Sequence, residues 1–312
     1  MAGMLYLVPT PIGNLGDIST RCRETLENAD FIAAEDTRVS LKLLNHLGIK
    51  KSLVSYYEHN KDFKGEKIVE RILAGETCAL VSDAGSPAIS DPGEDLVKQC
   101  AAAGITVCAI PGPCAAITAL SISGQATGRF CFEGFLSTAK KSRREHLDSL
   151  KKETRTMIFY EAPHKLVNTL EDMAAVFGAD RPISLCRELT KLHEEVVRTT
   201  LGGAVAKYTE NAPKGEFVLI VAGAEPEIEE APTEDDAAGY LKKLIDSGLS
   251  RKDAIKQNRQ GLRLTQKRGL RPGSEYRRIK NALNDRWSFR AFHFSQISRI
   301  FRTHSPQRFL RL

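Results

Sequence analysis

Three segments rich in Pro and Gly carry the residues best suited to chemistry: PTPIGNLGD (9–17), SDAGSPAISDPG (82–93) and PGPCAA (111–116). Each follows a short apolar run. In the first, Pro9 and Pro11 fix the exit of the chain, while Gly13 and Gly16 permit close backbone approach. A tight turn uses the same pattern. In the second, Asp83 falls at the end of an apolar run beside Gly85, where a carboxylate can accept hydrogen bonds from a ligand's hydroxyl or ammonium groups. The competing use of such an Asp is an Asx-turn or helix cap. Asp91 suits that use, because DPGED opens a helix with Pro at its first position. In the third, the small residues Cys114, Ala115 and Ala116 begin a helix whose free N–H groups suit a carboxylate or a ring acceptor. Tight helix–sheet packing asks for the same small residues. Neither GxGxxG nor GxxxxGK(S/T) follows the first apolar run, which argues against a dinucleotide oxidoreductase and a P-loop NTPase.

Acids also stand beside bases at three expected strand ends: Glu35, Asp36 and Arg38 in AEDTR, Tyr160 and Glu161 in YE, and Arg187, Glu188 and Lys191 in CRELTK. Proton transfer and a plain ion-pair network explain such groups equally well. The segment STAKKSRREHL (137–147) concentrates Lys140, Lys141, Arg143 and Arg144. At a helix start facing a cleft this run would hold RNA phosphates; the alternative is a solvated helix face.

A fold must bring those loops to one place. The first 125 residues alternate apolar runs with helical patterns. Strands are predicted at Leu5–Val8, Phe31–Ala34, Leu53–Tyr56, Cys78–Val81 and Thr106–Ile110. Helices are predicted over Arg21–Asn28, Ser40–Leu47, Lys64–Leu73, Glu94–Ala103 and Ala115–Ser121. Such alternation implies a parallel sheet built by crossovers, with ligands beyond the carboxyl ends of its strands. From about Gly128, strands follow one another more directly, at Phe130–Phe135, Thr156–Tyr160, Ile183–Cys186, Val196–Thr200 and Phe217–Val221. Helical patterns fill Arg143–Lys152, His164–Phe177 and Gly203–Glu210, so the second sheet is expected to be mixed.

The 312-residue length, with 42% hydrophobic residues, exceeds the usual single domain. We expect an N-terminal α/β domain over 1–125, a second α/β domain over 126–224 and an acidic linker over 225–236. A helical segment follows over 237–256, with a turn at Ser247–Gly248 and a cap at Ser250, and then an atypical basic tail over 257–312. The tail holds 14 Lys/Arg and 2 Asp/Glu, a net of +12; the other 31 basic and 37 acidic residues leave the body at −6. A shifted reading frame near residue 257 accounts for that abrupt change better than an RNA-binding extension does. Seven cysteines without CxxC spacing read as reduced thiols, without disulfides or metal. No apolar stretch suits a bilayer and no leader pattern is visible, so a cytoplasmic protein is expected.

The segments YLVPTPIGNLGDIS, AAEDTR, LVSDAGSPAISDPG, IPGPCAAITAL, RFCFEGFL, IFYEAPHKL, CRELTK and KGEFVLIV closely resemble bacterial ribosomal RNA small-subunit methyltransferases I, within the tetrapyrrole methylase superfamily. The resemblance runs from about Met4 to about Lys256. It implies a two-domain α/β fold, a homodimer, S-adenosylmethionine bound in a cleft between the domains, and 2′-O-methylation of a cytidine in 16S rRNA. Carried over residue by residue, it places Pro11, Asp83, Gly85, Ser86, Cys114 and Ala115 at the cofactor, with Tyr160 and Pro213 closing the pocket. The superfamily often has Ser or Thr where Cys114 stands, and a thiol is a weaker donor. A ribose hydroxyl is weakly acidic, so the implied reaction would use a base or a nearby cation; Glu161, Glu188 and Lys191 are the candidates. A methylase acting on tetrapyrrole rings and a catalytically silent RNA-binding protein are the competing readings.

Overall fold

The computed structural model describes residues 3–225, together with 245–248, 250 and 253. Residues 1–225 form one compact unit. Its first half runs β1 (Met4–Leu7), α1 (Thr20–Asn28), β2 (Phe31–Ala34), α2 (Thr37–Leu47), β3 (Ser52–Ser55), α3 (Lys61–Leu73), β4 (Cys78–Val81), α4 (Gly93–Ala102), β5 (Thr106–Ala109) and α5 (Ala115–Ser123). The five strands pair in the order β3-β2-β4-β1-β5, and every pairing is parallel. The central strands FIAA and CALV are buried throughout, the continuous apolar pattern of a sheet covered on both faces. One face packs Leu5, Phe31 and Leu80 under α3 and α4; the other packs Ile32, Ala34 and Val81 under α1 and α2.

The second half runs β6 (Phe130–Phe135), α6 (Lys140–Ser149), β7 (Thr156–Glu161), α7 (Leu166–Phe177), β8 (Pro182–Arg187), β9 (Glu195–Thr200), α8 (Leu201–Glu210) and β10 (Phe217–Val221). Its sheet has the order β6-β7-β10-β8-β9; only β6 and β7 are parallel, so it is mixed. Met157, Phe159, Leu185 and Leu219 face α6, α7 and α8. The opposite face packs Ile158, Cys186, Val218 and Ile220 against Ala116, Ala119 and Leu120 of α5. Thus α5, whose sequence runs on directly from the first sheet, forms the layer over the second. Ser184 Oγ donates to Ser123 O at 2.8 Å, and Arg198 Nε to the same oxygen at 3.0 Å.

The sequence places each of these strands and helices, and the differences lie at their ends. α2 starts at Thr37 rather than Ser40 because Asp36 Oδ1 accepts the Arg38 N–H at 2.8 Å. α6 starts at Lys140 rather than Arg143, after a turn in which Ser137 Oγ accepts the Ala139 N–H at 3.2 Å. All seven cysteines are free thiols, and among the described residues no helix is long and apolar enough to cross a membrane. In the expected terminal segment, Gly248 takes φ +94° and Ser250 Oγ accepts the Asp253 N–H at 3.2 Å, as an N-cap does. The expected acidic linker, the rest of that helical segment and the basic tail lie outside the described residues.

Candidate active site

Strands β4, β1 and β5 are neighbours, so the three loops that follow them emerge side by side. They are tied pairwise. The Thr10 N–H donates to Gly85 O and the Gly85 N–H to Thr10 O, both at 3.0 Å. Ser86 Oγ donates to Pro113 O at 2.9 Å. Gly112 lies against Pro9, where any Cβ would come within 2.7 Å of the proline Cβ. Gly85 has φ +84°, which glycine alone adopts freely. Asp83 Oδ1 accepts the Asp36 N–H at 3.0 Å, linking the β4 and β2 ends. Asp91 does more than cap α4. Its Oδ1 accepts from Ala88 N–H at 3.0 Å and Gly93 N–H at 2.8 Å, and Oδ2 from Ile89 N–H at 3.3 Å. These bonds hold Ala88 (φ +67°) and Ser90 (φ +63°) in the left-handed region on either side of Ile89.

The second sheet faces these loops across α5. Tyr160 Oη accepts the Ala116 N–H at 3.1 Å, which caps the α5 N-terminus from another strand. Burial pushes the Tyr160 phenol up to about 12, so it stays neutral at physiological pH. In the β8–β9 connection Glu188 (φ +52°) and Thr190 (φ +64°) are both left-handed. Lys191 Nζ reaches Glu188 Oε1 at 2.8 Å and Glu216 Oε2 at 2.9 Å. Burial alone would depress the Lys191 ammonium, but these two bonds outweigh it and raise its pKa. The hydrogen bond from Lys191, then that from the Glu216 N–H, holds Glu188 below the usual range. Gly13 rests on this connection: a Cβ there would lie 2.5 Å from Lys191 Cγ.

Together these elements enclose a cavity of about 560 Å³, within the size range of small-molecule sites. Asp83, Gly85, Ser86, Cys114, Ala115, Tyr160, Glu161, Glu188 and Lys191 all line it. Pro11 lies instead in an adjacent recess of about 270 Å³, with Thr10, Ser82 and Asp83. Pro213 is in neither lining, because its segment reaches the cavity three residues later, at Glu216 and Phe217. Glu161 is buried with both oxygens engaged: Oε1 by its neighbour's Ala162 N–H at 2.9 Å, and Oε2 by the Thr169 hydroxyl at 2.6 Å. That engagement suits holding the β7 end, not proton transfer. Among the described residues the lining carries six carboxylates (Glu35, Asp83, Asp91, Glu161, Glu188 and Glu216) against one cation, Lys191. Burial, then the charges of Asp83 and Asp91, raise the Glu35 carboxyl above its ordinary value. Such a field favours a cationic ligand. The lining also includes Ile12, Ile89 and Phe135, which composition and spacing did not single out. For Phe135 a signal existed: an isolated Gly inside a strand pattern, here Gly134, marks a bulge.

The basic run divides. Arg143 is buried: its Nε lies 2.8 Å and its Nη2 2.7 Å from Asp172 Oδ2, and its Nη1 donates to Ser137 O and Thr138 O at 3.3 Å. It is a structural residue joining α6 to α7, a correction to its reading as an RNA contact. Arg144 donates to Asp172 Oδ1 at 2.8 Å with half its side chain exposed. Lys140 and Lys141 are exposed at the helix start, Lys141 with only a 3.9 Å approach to Glu145.

Residues 4–205 match the family model described as Tetrapyrrole (Corrin/Porphyrin) Methylases. The chain belongs to that family. A relative from Synechocystis sp., named ribosomal RNA small subunit methyltransferase I, is 50% identical over 82% of this chain and 91% of its own length. A Bacillus subtilis relative of the same name is 46% identical over 82% of this chain and 88% of its own. Among solved structures, a diphthine synthase superposes with a TM-score of 0.55 at 14% identity, over 70% of this chain and 90% of its own. A uroporphyrin-III C-methyltransferase from Thermus thermophilus, complexed with S-adenosylhomocysteine, gives 0.51 at 15% identity, over 70% and 97%. At those identities the likeness shows the fold.

Proposed function

We propose that this chain transfers a methyl group from S-adenosylmethionine to the 2′-hydroxyl of a cytidine in 16S rRNA of the small ribosomal subunit. The observation that carries the proposal is the 50% identity, over 91% of its length, to a ribosomal RNA small subunit methyltransferase I. The cavity fits the cofactor: its six-to-one excess of carboxylates suits a sulfonium bearing an ammonium group. Asp83, Gly85, Ser86, Cys114 and Ala115 would hold the cofactor, with Tyr160 closing its wall from the second sheet. When bound, the cofactor supplies the electrophilic methyl carbon.

The protein's own groups align the hydroxyl and keep water out. Lys191 presents a permanent cation that stabilises negative charge developing on the ribose oxygen. The Glu188 carboxylate, 2.8 Å from that ammonium, would accept the proton as the new C–O bond forms and the cofactor's S–CH3 bond breaks, with S-adenosylhomocysteine leaving as a neutral thioether. A hydroxyl beside the Lys191 cation is more acidic than a free one, so a carboxylate of lowered basicity can take its proton. Glu161 positions the β7 end and Tyr160 rather than taking a proton. The enzyme works in the cytoplasm as a homodimer, and Lys140, Lys141 and Arg144 contact phosphates of the subunit RNA.

The test is transfer of labelled methyl from S-adenosylmethionine to small subunits prepared from cells lacking this chain. Label recovered in one alkali-resistant dinucleotide is the expected result. Label on a tetrapyrrole substrate, with none on the subunit, would overturn the proposal.

A further inference from the structure

We infer that Phe135 is the platform on which the base of the substrate nucleotide stacks; the inference rests on the rRNA reading above. The observation is a bulge in β6. Phe132 pairs with Ile158, but Gly134 pairs with Phe159 and Phe135 with Tyr160, so one extra residue sits between Phe132 and Gly134. Ile158 and Tyr160 lie on the α5 side of the sheet, where the cavity is, while Phe159 faces the core under α7. In an unbroken register, Phe135 would fall on the Phe159 side and be buried in that core. The bulge turns it to the cavity side. Gly134 makes this possible with φ +64°, and the β4 loop abuts it, since a Cβ there would lie 3.1 Å from Ser90 Oγ.

The result is a large apolar ring kept 59% exposed, lining the cavity, with its centroid 5.4 Å from the Tyr160 ring. Tyr160 is anchored by its bond to Ala116, so the pair is a rigid aromatic wall. Phe135 has no polar atom, so what it offers a ligand is its face and its area. A nucleotide methylated on its ribose must leave its stacked neighbours to enter a cavity, and a splayed base regains stacking on an aromatic side chain. Phe135 stands on the second sheet where the β4 loop meets it, and its exposure leaves its face open to an arriving macromolecule.

The test compares full-length Phe135→Ala, Phe135→Leu and Phe135→Trp with the parent. It measures kcat/KM for small-subunit methylation and, separately, S-adenosylmethionine affinity by calorimetry. Loss of one base stack predicts a fall of roughly fivefold to hundredfold in kcat/KM for both Ala and Leu. The Trp variant keeps most of the activity, and cofactor affinity is unchanged in all three, which also reports an intact fold. Two outcomes overturn the inference while leaving the rRNA reading in place: a Leu variant as active as the parent, which makes Phe135 mere apolar filler, or a parallel loss of cofactor affinity, which makes it a cofactor wall. A parent that does not methylate the subunit defeats the rRNA reading itself, and with it the inference.

Discussion

Replacing Arg143 with Ala separates a structural arginine from a phosphate-binding one. The Arg143 side chain is 10% exposed and holds an Asp172 side chain that is 5% exposed. Removing one partner of a buried ion pair costs about 3–5 kcal/mol. Arg144 would still hold Asp172 Oδ1 at 2.8 Å, so the loss should fall at or below the lower end, about 2–3 kcal/mol. Urea unfolding reads it directly. Lys140→Ala, three residues earlier on an exposed turn, should stay within about 0.5 kcal/mol of the parent. Arg143→Lys restores the charge without the fork and recovers only part of the loss. The pH dependence has a definite sign. Burial alone would raise the Asp172 carboxyl, but its hydrogen bonds from Arg144 and Arg143 outweigh this and hold it below its ordinary 3.8. A depressed acid contributes stability that is fully present above 3.8 and disappears as the pH falls through its lowered value. The gap between parent and variant should therefore be flat above about 3.8 and close as the pH falls from there through the lowered value. A variant that unfolds with the parent, yet binds RNA with a weaker salt dependence, would refute the structural assignment.

Three other expectations follow from the same geometry. Asp83→Ala should fold normally and lose most S-adenosylmethionine affinity by calorimetry; undiminished binding by a folded variant removes Asp83 from the site. Lys140→Ala with Lys141→Ala should lower the slope of log affinity for RNA against log salt by about 0.7 to 0.9 for each phosphate that is no longer neutralised, leaving cofactor affinity alone. An unaltered slope makes the run a solvated face. Glu35 has a raised pKa, so its carboxylate is lost as the pH drops towards and below that raised value, and a cationic cofactor favours the ionised form. Cofactor affinity should rise with pH through that window in the parent and flatten in Glu35→Gln; equal pH profiles would show that Glu35 does not feel the ligand.

The elements were legible because periodicity reports burial. FIAA and CALV read as strands since both faces are covered, and the Pro/Gly loops read as loops since no helix or strand tolerates them. That those loops gather at the carboxyl edge of one sheet was legible; which of them stand side by side was not. Strand order β4-β1-β5 makes them neighbours, and order is set by crossovers between segments up to a hundred residues apart. The same limit explains Arg143. In KKSRRE it is one of four basic residues, and only the approach of Asp172 from α7 distinguishes it. Pro213 shows the limit from the other side: resemblance marks a segment, but the side chains that reach the cavity belong to Glu216 and Phe217. The interior of α5 carried a further ambiguity. Small residues at its start serve both a ligand and the second sheet: Cys114 and Ala115 line the cavity and also pack against the cluster in which Ala116 and Ala119 are buried.

The charge distribution constrains how a polyanion can use this site. Six carboxylates around one lysine make the cavity hostile to phosphate, whereas Lys140 and Lys141 stand exposed on α6. On the proposed reading, an RNA strand entering this field keeps its phosphates at the basic helix start and lends the cavity only uncharged parts, the ribose and the base. The two parts then find different partners: the base finds the apolar ring of Phe135, and the hydroxyl finds Lys191, the one cation in the lining among the described residues. Lys191 is itself held by Glu188 and Glu216, so its charge is locally balanced. It can attract a developing oxyanion over hydrogen-bond distance without drawing phosphates in from outside. The acidic lining thus serves both ligands, by attracting the cationic cofactor and by admitting only the part of the RNA that reacts.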